Sequence, residues 1–192
     1  MSGIVVQRLT ESARPKLVDH FLKLGPDDVR LRFGSPISER TIASYVEGID
    51  FASEAVVGVY DEELELSGVA HIALGAEAAE LGVSVLPGRR GQGIGSALFA
   101  RAVEHARNRF VTRIYMHCLA ENAAMMHIAR KAGMTICVDQ GEADAFVDVP
   151  QADALSLAGE FVEQRLALFD YALKAQTATL KHITTALGGD PK

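Results

Sequence analysis

The sequence predicts an α/β fold, a mixed and mostly antiparallel sheet flanked by helices, with a long helical extension at the C-terminus. Three observations carry this reading. Short β-branched runs at residues 4–9, 54–60, 64–74 and 80–85 are separated by turn residues, which makes them four strands in mostly antiparallel order. A glycine-rich loop at 87–95 leads from the fourth run into an amphipathic helix, and the next apolar run, 111–119, is reached only through that helix, as a parallel crossover requires. Past Pro150 the chain turns to helix formers. The expected division is one domain over residues 1–150 and a helical extension over 151–192.

The first run ends at Thr10-Glu11-Ser12, where a helix can start on a capping residue. Leu17, Val18, Phe21, Leu22 and Leu24 recur at helical spacing up to Gly25-Pro26, which stops that helix and starts a second one carrying Val29, Leu31 and Phe33. A third helix is expected near 39–47, and the runs 54–60 and 64–74, joined by Asp61-Glu62-Glu63, form a hairpin. In the helix after the loop, Ile94, Leu98, Ala102 and Val103 make the apolar face, while Arg101, Glu104 and Arg107 make the polar one. Residues 122–132 give a further helix closed by Gly133, and 134–138 and 145–149 give the last two strands.

With 192 residues, 48% of them hydrophobic, the chain is long enough for one well-buried domain of ordinary size. No apolar run approaches the ~18 residues that span a membrane, and the first residues carry no basic leader, so a cytoplasmic protein with no membrane partner is expected. A formal net charge of -6 argues against nucleic acid, whose binding needs clustered Lys and Arg. Cys118 and Cys137 sit inside apolar runs without C-x-x-C spacing, the pattern of buried reduced thiols, and no metal is expected.

Gly91, Gly93 and Gly95 let the backbone approach a ligand closely, and they feed the amides of a helix N-terminus, which favours an anion such as phosphate. A Walker loop would need Lys and then Ser or Thr after its last glycine, whereas Gly95 is followed by Ser96-Ala97. A dinucleotide loop begun at Gly91 would put its third glycine on Ser96, with Glu121 as the ribose-binding acid. That reading and a ligand-free glycine turn both stay open from the glycines alone.

Arg90-x-x-Gly93-x-Gly95 resembles the pyrophosphate-binding loop R/Q-x-x-G-x-G/A of the GNAT superfamily of acyl-CoA-dependent N-acyltransferases. Asn122, Ile128, Lys131 and Gly133 match its second signature, N-x-x-x-x-x-L-Y-x-K-x-G-F, with Met134 in place of the usual Phe. The two motifs stand in the proper order roughly 30 residues apart, which is more specific than either alone. Leu24-Gly25-Pro26-Asp27-Asp28-Val29-Arg30-Leu31-Arg32-Phe33 is similar to the L-S-P-E-D-x-y-x-R-F stretch in the GNAT domains of bacterial protein-lysine acetyltransferases. The resemblance covers residues 4–149. It implies the GNAT fold and acetyl-CoA as cosubstrate, its pyrophosphate held by Arg90, Gly91, Gln92, Gly93, Ile94, Gly95 and Ser96. The pantetheine arm is then expected as a pseudo-strand along Val83, Ser84 and Val85, where strand four splays from strand five. An amide near Val85 would polarise the thioester. Asn122 would bond the arm or cap its helix, and Arg32 and Phe33 would lie near the acceptor.

Acyl transfer to an amine starts from a deficit, because a lysine-like amine is mostly charged at pH 7 and its neutral form costs about 4.6 kcal/mol. The resemblance implies Glu80 as the catalytic base; read from position alone, a solvated strand-end acid serves equally well. Glu77 is the main competitor, followed by the acids of 61–65, since a shift or bulge in the strand changes which acid faces the cleft. Many GNAT enzymes protonate the CoA thiolate with a tyrosine of the second signature, and here that position is Ala129, an alanine that the lysine acetyltransferase branch often shares. Water, Tyr115 or His117 are left for that task. The expected activity is acetyl-CoA-dependent N-acetyl transfer to a primary amine by direct attack in a ternary complex. A protein lysine is the favoured acceptor; a small-molecule amine, or a CoA-sensing protein without catalysis, are the alternatives.

Val162, Leu166, Phe169, Leu173, Gln176, Leu180, Ile183 and Leu187 follow one another in steps of four and three, which is a heptad seam. A helix over this stretch would be roughly 50 Å long at about 1.5 Å per residue, longer than a small domain. It is expected to pair with a second copy of the chain as a homodimer, Gln176 fixing the register; a broken or bent helix docked on the chain's own sheet is the alternative.

Overall fold

A computed structural model describes residues 3–75, 78–152 and 154–187, the backbone alone at 154–156 and 180–187. Seven strands, β1 (Gln7–Arg8), β2 (Ala55–Tyr60), β3 (Leu66–Leu74), β4 (Ala78–Val85), β5 (Arg113–Leu119), β6 (Thr135–Asp139) and β7 (Glu142–Asp148), form one sheet in the order β1-β2-β3-β4-β5-β7-β6. Every neighbouring pair is antiparallel except β4 and β5, which are parallel. Helices α1 (Arg14–Leu22), α2 (Pro26–Phe33) and α3 (Glu39–Glu47) precede β2, α4 (Ile94–Arg107) makes the β4-to-β5 crossover, and α5 (Ala123–Lys131) and α6 (Ala154–Leu187) follow. No helix of the described residues is long and apolar enough to cross a membrane.

Apolar side chains cover the sheet on both faces. Leu98, Ala102 and Ala106 of α4 are fully buried with Ala70, Ile72 and Ile114 on one face, while Leu17, Phe21 and Val46 of α1 and α3 are buried with Val56 and Val69 on the other. Gly68 sets how close α4 comes, because a Cβ there would stand 2.6 Å from Ile94 and 3.0 Å from Leu98. Along β5 the alternation is strict: Ile114, Met116 and Cys118 are buried, and Tyr115 and His117 are exposed.

The structure moves several expected boundaries, because a strand extends only as far as its partner supplies hydrogen bonds. The first strand pairs only at Gln7 and Arg8, against Gly58 and Val57, rather than over 4–9. β4 begins at Ala78, so Glu80 lies two residues inside the strand instead of opening it, and β7 begins at Glu142. Cys118 is buried as expected, but Cys137 is exposed, since β6 is the last strand of the sheet and pairs on one side only.

Arg101 is the largest departure. Its side chain belongs to the polar face of α4 but is only 5% exposed, because α6 lies over that face. Arg101 donates to Glu104 at 2.7 Å and to Glu163 of α6 at 3.1 Å. Glu160 accepts from Asn108 at 2.7 Å and meets His105 Nδ1 at 2.7 Å. Farther along, Ala167 is buried, Tyr171 packs on Tyr60 with the rings tilted by 59° and their centroids 5.0 Å apart, and Lys174 donates to the Tyr60 carbonyl at 3.0 Å. Thus α6 closes the β1 edge of the sheet, which would otherwise be open to strand addition.

Burial pushes the Glu160 carboxyl up, but the hydrogen bonds from His105 and Asn108 and the nearby positive charges outweigh it and hold it down to about 2. A carboxyl held below its unfolded value stabilises the docked helix at neutral pH, and that contribution is lost as pH falls from about 4.5 towards 2. Glu160→Ala should cost about 1–3 kcal/mol of docking, the usual loss when a buried hydrogen-bonded group loses its partner. Hydrogen exchange should then show faster opening of α6 in the variant at pH 7, and in the parent chain on acidification. Identical α6 protection in the two chains at pH 7 would exclude this anchoring role.

Candidate active site

The pairing of β4 with β5 stops early. Ala78, Ala79 and Glu80 pair with Arg113, Ile114 and Tyr115, after which β4 continues to Val85 and β5 to Leu119 without pairing. The β5-facing backbone groups of this part of β4 have no strand partner; Arg90 reaches the Val85 carbonyl, and the rest are left for another partner. A cleft of about 710 Å³ opens into the gap. Val83, Ser84, Val85, Arg90, Gly91, Gly93, Ile94, Gly95, Ser96 and Asn122 all line it, and so do Asp28, Arg32, Ile128 and Lys131.

The glycine loop has the backbone geometry that an anion cradle needs. Gly91 and Gly93 hold φ of 75° and 85°, a left-handed region that side chains disfavour. The first bond of α4 runs from the Ala97 amide to the Gly93 carbonyl at 3.0 Å, so the amides of Ile94, Gly95 and Ser96 precede any intrahelical acceptor. A Cβ on Gly95 would stand 3.0 Å from Ile128 Cδ1, so this glycine also lets α4 meet α5. Arg90 donates from Nε to the Val85 carbonyl at 3.3 Å and pairs with Asp28 at 2.7 Å, which ties the loop to β4 and α2. Gln92 alone of the expected loop residues does not line the cleft; its amide turns back to the Gly88 carbonyl at 3.5 Å. Asn122 caps α5, accepting from the Met125 amide at 3.1 Å, and donates to the Leu31 carbonyl at 3.3 Å. Ser84 meets the buried ring of His20 at 2.8 Å, and desolvation lowers that histidine to about 4, so it is neutral at pH 7.

A second cleft of about 610 Å³ lies at the base of the gap, lined by Glu80, Tyr115, His117 and Asp144 among others. Glu80 is exposed and pairs through its backbone with Ala73 and Tyr115. His117 meets Asp144 at 2.8 Å, and this hydrogen bond holds the imidazole above its ordinary value. Two of the competing acids are engaged elsewhere: Asp61 pairs with Arg89 at 2.9 Å and Glu65 with Lys23. Glu77 lies outside the described residues. Glu121, the candidate ribose acid, pairs with Arg30 at 2.5 Å.

Of a polar chain on the same face of the sheet as Glu80, sequence reasoning named only Arg32. Arg32 donates to the Tyr45 hydroxyl at 2.9 Å, Tyr45 meets His71 Nδ1 at 2.7 Å, and His71 Nε2 meets Glu54 at 3.1 Å. Tyr45, Glu54 and His71 are spread from α3 to β3 and show no local spacing that would have found them.

The family model described as the acetyltransferase (GNAT) family matches residues 29–134. The chain belongs to this family. Streptothricin acetyltransferase of Streptomyces lavendulae is 32% identical over 94 residues, 47% of this chain and 49% of the relative, so the chain spans about half the length of the curated relative it matches. Among solved structures, the GNAT domain of S. lividans PAT superposes with a TM-score of 0.65 at 21% identity, covering 75% of this chain and 89% of that one. The yncA protein of Salmonella typhimurium, solved with its cofactor acetyl-CoA, gives 0.59 at 14% identity, covering 80% and 98%. At these identities the structures establish the fold.

Gly93→Asp and Gly95→Asp should each abolish CoA binding, since both put a carboxylate into the amide cradle and the first also strains a positive φ. Calorimetry on variants with native circular dichroism checks this, and retained CoA affinity would refute the assignment of the loop.

Proposed function

We propose that this GNAT acetyltransferase transfers the acetyl group of acetyl-CoA to a primary amine by direct attack in a ternary complex. The observation that carries the reading is the parting of β4 from β5 just beyond Glu80, with an amide-lined cleft along the parted end of β4 and a second cleft, holding a carboxylate, at its paired end. The fit to acetyl-CoA is good: the left-handed glycines and free helical amides suit a pyrophosphate, and the stretch Val83–Ser84–Val85, paired with β3 but not with β5, suits an extended amide-bearing arm. An amide near Val85 polarises the thioester carbonyl.

Glu80 takes the proton of the attacking amine, directly or through water. Its exposure leaves it open to the second cleft, and no described side chain forms an ion pair with it. The amine nitrogen bonds to the carbonyl carbon, the carbon–sulfur bond breaks, and its electron pair leaves with sulfur. The acceptor we favour is a protein lysine, because the second cleft is open and bears Glu80 and Asp144, so an ammonium on a protein surface can enter it. The match to streptothricin acetyltransferase supports a small-molecule amine as the second reading. Parallel assays on lysine peptides and on streptothricin separate the two.

Glu80→Gln should lower turnover by about 10²- to 10⁴-fold at neutral pH with CoA affinity retained, and recover partly at high pH where the amine is already neutral. Wild-type turnover in this variant would place the base elsewhere.

The same reading includes a homodimer through α6. Its docked face is occupied by Glu160, Ala167 and Tyr171, while the seam residues Val162, Leu166, Phe169 and Leu173 are 54%, 61%, 70% and 52% exposed. Each such side chain gains about 1.5–3 kcal/mol on full burial, and the heptad spacing suits an identical helix as partner. Phe169→Asp with Leu173→Asp should give a folded monomer that still binds CoA. A wild-type chain already monomeric by light scattering at micromolar concentration would overturn the pairing.

A further inference from the structure

Arg32, near the end of α2, lies in the larger cleft. Its guanidinium rests on β4 at Gly82, where a Cβ would stand 2.4 Å from Nη2 and 2.7 Å from Nη1, so this seat exists only because residue 82 is glycine. Arg32 lines the larger cleft beside Val83 and Ser84. Glu80 is two residues from Gly82 on the same strand, and so on the same face. The rings of Phe33, Tyr45 and Phe21 surround the guanidinium at 4.9, 5.7 and 5.9 Å.

Among the described residues this cation has no ion-paired counterion. Among the described residues no carboxylate lies within ion-pair distance of Arg32, and its Nε is buried without a hydrogen-bond partner. Arginine cannot shed its proton, so a half-buried guanidinium that meets only a phenol has charge to spare for an anion.

The chain behind it runs in one direction. Arginine only donates and the Glu54 carboxylate only accepts, so Tyr45 accepts from Arg32 and donates to His71 Nδ1, and His71 Nε2 donates to Glu54. Burial lowers His71 despite the Glu54 bond, and burial raises Tyr45 despite the Arg32 charge. The imidazole is therefore neutral and the phenol protonated, the states that this direction requires.

We propose that Arg32 is the cation that stabilises the departing CoA thiolate, set in place by Tyr45, His71 and Glu54. The proposal rests on the larger cleft being the acetyl-CoA site. As the new carbon–nitrogen bond forms, the carbon–sulfur bond breaks with its pair on sulfur, and the amine proton passes by way of Glu80 to solvent. Sulfur leaves as an anion, and Ala129 offers no proton where related enzymes carry a tyrosine. A fixed guanidinium beside the sulfur meets the same need by charge alone. Arg32 is thus a catalytic residue, and Tyr45 a positioning residue.

The test is to titrate the thiol of bound CoA by the ultraviolet absorbance of its thiolate, with calorimetry of CoA and desulfo-CoA for affinity. In the wild type the bound thiol should ionise about one to three pH units below free CoA, the usual effect of an adjacent opposite charge. Arg32→Gln should return it to the free value while desulfo-CoA affinity stays within about threefold, a change under 1 kcal/mol. Gly82→Ala, which displaces the guanidinium and keeps the charge, should act in the same direction. Tyr45→Phe should lower kcat with an unchanged KM for acetyl-CoA and a smaller change in the thiol. His20, Glu54, His71 and Glu80 face the same region and are common to all these variants, so the difference between wild type and Arg32→Gln isolates the guanidinium. A bound thiol that ionises like free CoA, or is unmoved by both Arg32→Gln and Gly82→Ala, overturns the role of Arg32. Failure of CoA to bind the wild type overturns the cleft assignment itself.

Discussion

The early end of the β4–β5 pairing is the feature on which the rest of the site depends. Inside a sheet, unpaired backbone groups are costly unless water or a ligand satisfies them. Here the two strands share only three residue pairs before they diverge, and the elements around them hold the gap open. Gly68 lets the start of α4 lie close on β3, Gly95 lets α4 meet Ile128 of α5, and Asn122 bonds α5 to α2 through the Leu31 carbonyl. The glycine loop and the gap therefore face one cleft because the packing around them leaves α4 and α5 little room to move.

Charge is divided across this gap in a way that matches acyl transfer. Glu80 faces the second cleft, where the proposed reaction takes a proton from an amine, and Arg32 faces the first, where the proposed reaction puts negative charge on sulfur. They lie on the same face of β4 without forming an ion pair, so neither neutralises the other. The aromatic rings around Arg32 limit its freedom, and the Tyr45–His71–Glu54 chain aims it without supplying a countercharge at close range.

The C-terminal helix does two things with two faces. Its polar and small residues dock on α4 and the β1 edge, where Glu160 gathers donors from His105 and Asn108 and a buried Arg101 meets Glu163. Its described large aliphatic and Phe side chains, from Leu157 to Leu173, point to solvent. This reverses the usual arrangement of a surface helix, in which the apolar stripe faces the core.

The sequence by itself determined the features that depend on neighbours in the chain. Strand alternation, the Gly25-Pro26 break, the left-handed glycines of the loop, the Asn122 cap and the heptad steps of α6 all follow from local sterics and periodicity. The order of its two motifs was enough to indicate the family. The tertiary structure alone decided where β4 begins, which face of α6 docks, that Arg101 is buried, and that Arg32 crosses fifty residues of chain to sit on Gly82. Those outcomes depend on which surfaces meet after folding. A polar side chain looks the same in sequence whether it ends in water or over a backbone that lacks a Cβ, and only long-range packing separates the two.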